Sequence, residues 1–204
     1  MFKISLTELE EVRRDPAAYK KKQDTGTGFR GGKSVFQRLK WAVYEYHKNE
    51  DPIAAMDYLE DALAKFKNRA PCEKAVEDLQ WYTAEYQKLG WPTALRKYNI
   101  SIRLSTRYAD SLKITGEINR IDMHPNGTYA AWLFSKGSAG NWLNELRMPI
   151  IQNAVGVELG VPPVMVHVGI YCFEDHTVDI HNFANNDIRR AHFELEDLFI
   201  KMGF

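Results

Sequence analysis

The sequence predicts an α/β (α+β) domain with a helical N-terminal half and a strand-rich C-terminal half, and three observations carry that expectation. Apolar residues recur at three- and four-residue spacing over Ser34 to His47, Pro52 to Lys67 and Glu73 to Leu89. After Trp91-Pro92 this period gives way to alternation. Val164 to Phe173 is a nearly continuous apolar run of the kind that forms a strand buried on both faces. The 204 residues are therefore read as one domain, with a helical part over 1–92 and a sheet core over 93–204.

Each element has its local signal. Ser5 to Lys22 is predicted helical, with Ser5 or Thr7 as cap, Glu8, Glu10 and Glu11 in the first turn, and Pro16 interrupting it. The glycine-rich stretch from Gln23 to Lys33 is a loop. Tyr98 to Ser105 alternates with Ile100, Ile102 and Leu104 on one face, and Leu112 to Met123 continues the same period. Asn126-Gly127 is the favoured pair for a two-residue hairpin, which makes Thr128 to Ser135 the return strand. Asn141 to Leu159 is a helix closed by Gly160, Val164 to Phe173 and Val178 to Phe183 are strands, and Asn185 to Met202 is the last helix. The order is helices followed by βββαββα, a central mixed sheet flanked by helices.

Composition narrows the function classes. No apolar run is long enough to cross a bilayer, and the acidic N-terminal stretch lacks the apolar core of a secretory signal, so a cytoplasmic location and no membrane partner are expected. Cys72 and Cys172 are too few for a disulfide framework or a four-cysteine metal centre. Lysine and arginine number 27 against 27 acidic residues, which argues against a globally basic nucleic-acid binder. Locally the balance differs: from Arg13 to Lys40 nine cations face Asp15 and Asp24 alone, a local excess of +7. Gly26 to Ser34 has the glycine, lysine and serine of a phosphate-binding loop, but the spacing would need glycine at Thr27, so nucleotide hydrolysis is not expected.

Several stretches together resemble the PD-(D/E)XK nuclease superfamily, in its RecB, Cas4 and exonuclease VIII-like branch. Ile4-Ser5-Leu6-Thr7-Glu8-Leu9 followed by Asp15-Pro16-Ala17-Ala18-Tyr19 is similar to that branch's opening. Gly116-Glu117-Ile118-Asn119-Arg120-Ile121-Asp122 is similar to its glycine, x, isoleucine, aspartate, arginine, isoleucine, aspartate strand. Phe134-Ser135-Lys136 falls where carboxylate-x-lysine would stand, and Arg147-Met148-Pro149-Ile150-Ile151 where a helix carries glutamine and tyrosine. The resemblance implies a restriction-endonuclease-like core whose chemistry is degenerate. Phe36 stands at the family histidine, Asn119 and Phe134 at the two carboxylates, Arg147 at the glutamine and Ile151 at the tyrosine; Lys136 alone keeps its identity. It implies a pseudo-nuclease of phage, defence or recombination systems that binds DNA or a protein partner. The alternatives are an active Mg²⁺-dependent DNase with relocated ligands and a structural subunit that touches no nucleic acid.

A two-residue turn at Asn126-Gly127 pairs Asn119 with Phe134, Glu117 with Lys136 and Ile121 with Trp132, and puts Glu117, Asn119, Phe134 and Lys136 on one face. These form the expected remnant site: Lys136, Glu117 and Asn119. One carboxylate and one amide oxygen make a poor set for Mg²⁺, so neither a resident metal nor an iron–sulfur cluster is expected. Glu117 and Lys136 read most simply as a cross-strand ion pair, and Asp122 as a cap at the strand end. Arg30, Lys33, Arg38 and Arg147 are the candidate nucleic-acid contacts. His167, His176 and His181 read as hydrogen-bonded or surface residues rather than metal ligands. Trp41, Tyr44, Tyr46, Trp81, Tyr82 and Tyr86, at helical spacing, read as packing residues before base-stacking ones.

Overall fold

The computed structural model describes residues 2–24, 34–89, 98–103 and 112–204, the third of these segments by its backbone alone. The chain opens with β1 (Phe2–Ser5), a 3-10 turn at Leu6–Glu8, α1 (Leu9–Arg14) and α2 (Pro16–Asp24). Ser5 closes the first turn: its Oγ accepts from the Thr7 N–H at 3.2 Å, and its own N–H donates to the Glu8 carboxylate at 3.0 Å. Pro16 lacks an N–H and so begins a new helix, which Asp15 caps by accepting from the Ala18 N–H at 2.9 Å. β1 was not among the expected strands, because four residues are too short to display a period.

Three helices follow: α3 (Val35–Asn49), α4 (Pro52–Leu63) and α5 (Ala70–Leu89). Ser34 caps α3 by accepting from the Gln37 N–H, and Asp51 caps α4 by accepting from the Ile53 N–H. The sheet part comprises β2 (Tyr98–Arg103), β3 (Leu112–Ile118), β4 (Arg120–Met123), β5 (Tyr129–Ser135), α6 (Arg147–Leu159), β6 (Val166–Cys172), β7 (Thr177–His181) and α7 (Asn185–Lys201). β3 is flanked by β1, parallel, and β2, antiparallel; β4-β5-β6-β7 form the second sheet, in which β5 and β6 are parallel and joined through α6. Only Asn119 separates β3 from β4.

Two apolar clusters fill the opposite faces. Ile4, Leu9, Ile114, Ile118, Ile121 and Leu195 belong to the cluster formed with α1, α6 and α7. Leu39, Leu59, Leu79 and Tyr82 belong to the other, where α3, α4 and α5 cover Trp132, Tyr171 and Phe173. Trp132 is fully buried opposite Gly169, where an added Cβ would stand 2.2 Å from the indole ring. That contact admits only glycine. Among the described residues no helix is long and apolar enough to cross a membrane.

The hairpin corrects the expected register. Met123 pairs with Tyr129, Ile121 with Ala131 and Arg120 with Trp132, one residue out of phase with a two-residue turn. His124 N–H donates to the Thr128 carbonyl at 2.8 Å and Gly127 N–H to the His124 carbonyl at 2.9 Å, so the loop is Pro125-Asn126-Gly127, with Gly127 at φ 84°. A two-residue turn would need the residue before Asn126 to donate its N–H across the hairpin. That residue is Pro125, which has none.

The expected single strand from 112 to 123 is also broken. Asn119 N–H donates to the Trp132 carbonyl at 3.0 Å, although Trp132 already pairs with Arg120, so two residues oppose one and Asn119 is a bulge. The bulge shifts the alternation by one residue. Ile118 and Ile121, three apart, therefore face the same core, while Arg120 and Asp122 point to the opposite one.

Candidate functional site at the fork between β3 and β5

β1 occupies the edge of β3 at residues 112–115, and β5 pairs with β4 only from residue 132 to 129, so the sheet forks between them. A pocket of about 420 Å³ fills the fork, lined by Ser5, Thr7, Lys40, Glu117, Asn119, Phe134, Lys136 and Arg147 among others. Gly116 belongs to the same wall, because a Cβ there would sit 2.1 Å from Leu6 Cδ1. The 3-10 turn thus closes onto β3 only over a glycine.

The remnant-site residues do come together, by a different geometry from the one expected. Asn119 is not a cross-strand neighbour of Phe134; its Oδ1 accepts from the Phe134 N–H at 2.8 Å, filling the gap that the bulge opens in the ladder. Glu117 meets Lys40 of α3 at 3.4 Å instead of Lys136, and Asn119 Nδ2 donates to Glu117 at 3.4 Å. Lys136 is exposed and ion-pairs with no described residue, so the expected cross-strand pair is absent. Arg147, the first residue of α6, is half-buried and bonds to Glu145. Phe134 turns its ring into an aromatic cluster with Tyr82, Tyr171 and Phe173, at centroid distances of 5.4 to 5.8 Å.

The basic patch divides. Arg30 and Lys33 lie outside the described residues. Arg38 is half-buried with its guanidinium 5.1 Å from the Trp41 ring centre, its Nε makes no hydrogen bond among the described residues, and it is not part of the pocket. Lys40, one helical turn beyond Phe36, was in the sequence patch but was not picked out for the site. Its signal is positional only: it faces Glu117 from 77 residues away.

Farther along the same face, under α3 and α5, lies a sealed cluster. Arg120 is 1% exposed and Asp122 is fully buried, which replaces the expected role of Asp122 as a strand-end cap. Asp122 Oδ2 accepts from Arg120 at 2.7 to 2.9 Å and from the Trp132 indole at 2.8 Å. The guanidinium also bonds to the Tyr82 hydroxyl, approaches His47 Nε2 at 3.2 Å, and lies 4.4 Å from the Tyr86 ring centre. Asp122 Oδ1 has no partner. Burial pushes the Asp122 carboxyl up to about 6, against the opposing pull of Arg120.

Among the described residues no three His, Cys, Asp or Glu side chains gather where they could hold a metal. His176 takes a backbone φ of 51°, stacks on Trp81 at 4.7 Å and meets Asp78 at 2.8 Å. Tyr46 and Tyr82 are buried and Trp81 packs on Phe173, so these aromatic rings are packing residues, while Tyr44 is 40% exposed.

No protein-family model matches the sequence, and no curated protein matches it. A solved structure described as the crystal structure of SSO0001 is similar over 94% of this chain and 85% of its own, at 10% identity and a TM-score of 0.30. A likeness that loose carries no inference about fold or chemistry.

Proposed function

We propose that this protein is a catalytically degenerate PD-(D/E)XK-like module that binds the phosphate backbone of nucleic acid at the fork between β3 and β5. One observation carries the reading. Lys40, Lys136 and Arg147 line the pocket with Glu117 as its one lining carboxylate; Lys40 is paired with Glu117 and Arg147 with Glu145, and Lys136 ion-pairs with no described residue. A surplus of cations in a concave site attracts phosphate. The order of elements adds support: an antiparallel hairpin, a crossover helix and a parallel strand surround the pocket, and Asn119, Phe134, Lys136, Arg147 and Ile151 line it, while Phe36 does not.

The Mg²⁺ that the family resemblance implies does not fit these residues. A hard divalent cation takes six or more oxygen ligands, with carboxylates prominent among them. The pocket offers Glu117, already 3.4 Å from Lys40, and an Asn119 oxygen engaged by the Phe134 N–H. No hydrolytic step is assigned.

Fluorescence anisotropy with a labelled single-stranded oligonucleotide tests the proposal. Binding should weaken steeply with salt, log K falling against log salt with a slope of about −2 for three phosphate contacts. Lys136→Ala and Arg147→Ala should each flatten that slope by about 0.7. Binding indifferent to salt and to both substitutions would overturn the reading in favour of a protein partner. Strand cleavage that requires Mg²⁺ and is lost in Lys136→Ala would overturn it in favour of a DNase.

A further inference from the structure

The phosphate pocket has a neighbour of opposite character. A cavity of about 510 Å³ lies between α3 and α5, walled by Val35, Phe36, Leu39, Ala75 and Phe173. Lys136 lines both this cavity and the cationic pocket. α3 spans the two as well: Phe36 lines the cavity and Lys40 the pocket, and four residues of helix separate them by about 6 Å along the axis. A ligand that fills both carries a rigid apolar body within one helical turn of an anion.

We propose that this cavity receives an unstacked base of a single-stranded nucleic acid whose phosphate is held at Lys136, a proposal that rests on the phosphate-binding reading above. The Phe36 ring is half-buried, and it packs edge-on at 5.7 Å against Phe173, which is 2% exposed, so a planar guest meets an aromatic wall already fixed in place. Asp78 supplies a polar anchor in the lining. It is 6% exposed, and its bonds to Lys74 and His176 both fall on Oδ1. Oδ2 takes no bond among the described residues and can accept from the N–H groups on a base edge. A duplex keeps its bases stacked and cannot fill the cavity without unpairing.

Anisotropy with oligothymidylate and with an abasic backbone of equal length separates the base from the phosphate. The wild-type protein should bind oligothymidylate about tenfold more tightly than the abasic chain, the effect of stacking one base on an aromatic wall. Ala75→Leu, which fills the cavity from α5, should abolish that difference. Equal affinities in the wild-type protein would overturn the base pocket while leaving phosphate binding standing, as would duplex binding as tight as that of oligothymidylate. A difference that survives Ala75→Leu would also overturn it. Failure to bind either ligand would overturn this inference and the phosphate reading together.

Discussion

Glu117 and the bulged Asn119, and Arg120 and Asp122 just beyond them, are charged or polar residues within six positions of one another, yet they occupy opposite environments. Glu117 keeps 35% of its side chain in solvent beside a cleft. Asp122 keeps none and is held by Arg120, Trp132 and the hydroxyl-bearing rings around them. Water remains available to screen Glu117 against Lys40, so that ion pair contributes little. The second pair is desolvated, so removing either partner leaves the other buried and uncompensated. The same residue types line an open cleft in one place and form a fixed internal structure in the other, and solvent access makes the difference.

The sharpest way to break this contrast is to remove one partner of the sealed pair. Arg120→Met should destabilise the protein by about 3 to 5 kcal/mol in chemical denaturation, because it strands a buried carboxylate. Arg120→Met combined with Asp122→Leu should recover most of that loss. A single substitution no worse than the double would show that the cluster is not sealed.

A second, smaller effect follows from pH. The folded carboxyl of Asp122 titrates at about 6, above its ordinary value of 3.8, so folding favours its protonated form. Its contribution is fully present below pH ~4 and is lost as pH rises through about 6, a change on the order of 2 to 3 kcal/mol. Denaturation midpoints measured across that window should fall with rising pH in the wild-type protein relative to Asp122→Asn. Parallel profiles would show that the carboxyl is not desolvated.

The smallest effect belongs to the open side. Glu117→Gln should change stability by less than about 1 kcal/mol, since it removes only a half-exposed ion pair. It should also tighten oligonucleotide binding by removing the pocket's carboxylate. Weaker binding would assign Glu117 a direct role.

Much of this arrangement was legible in the sequence, and the failures have physical causes. Gly160 marked a helix end because caps are local chemistry. Pro125 should have excluded the two-residue turn, since the missing N–H is visible in the sequence alone. The bulge left a trace too: Ile118 and Ile121 cannot share a face of a regular strand, whereas residues two apart can. Glu117, Asn119, Phe134 and Lys136 were expected on one face, and they line one pocket together with Arg147, which was expected only as a nucleic-acid contact; Lys40 was not singled out, because the partner it meets is set by how α3 packs on the sheet. The sealing of Asp122 was likewise invisible, since it depends on Tyr82 and Tyr86 arriving from α5.

Asn119 also acts as a frame shift written into the backbone. Upstream of it even-numbered isoleucines fill the core, and downstream the odd-numbered Ile121 does, so the strand changes reading phase without leaving the sheet. Deleting that one residue would restore a single phase. Ile118 and Ile121 would then stand two apart and keep the core face with Ile114, while Arg120 and Asp122 would keep the opposite one. The extra residue therefore serves the pocket and not the core: deleting it would take the Asn119 amide away from Glu117 and from the Phe134 N–H while both apolar clusters keep their residues.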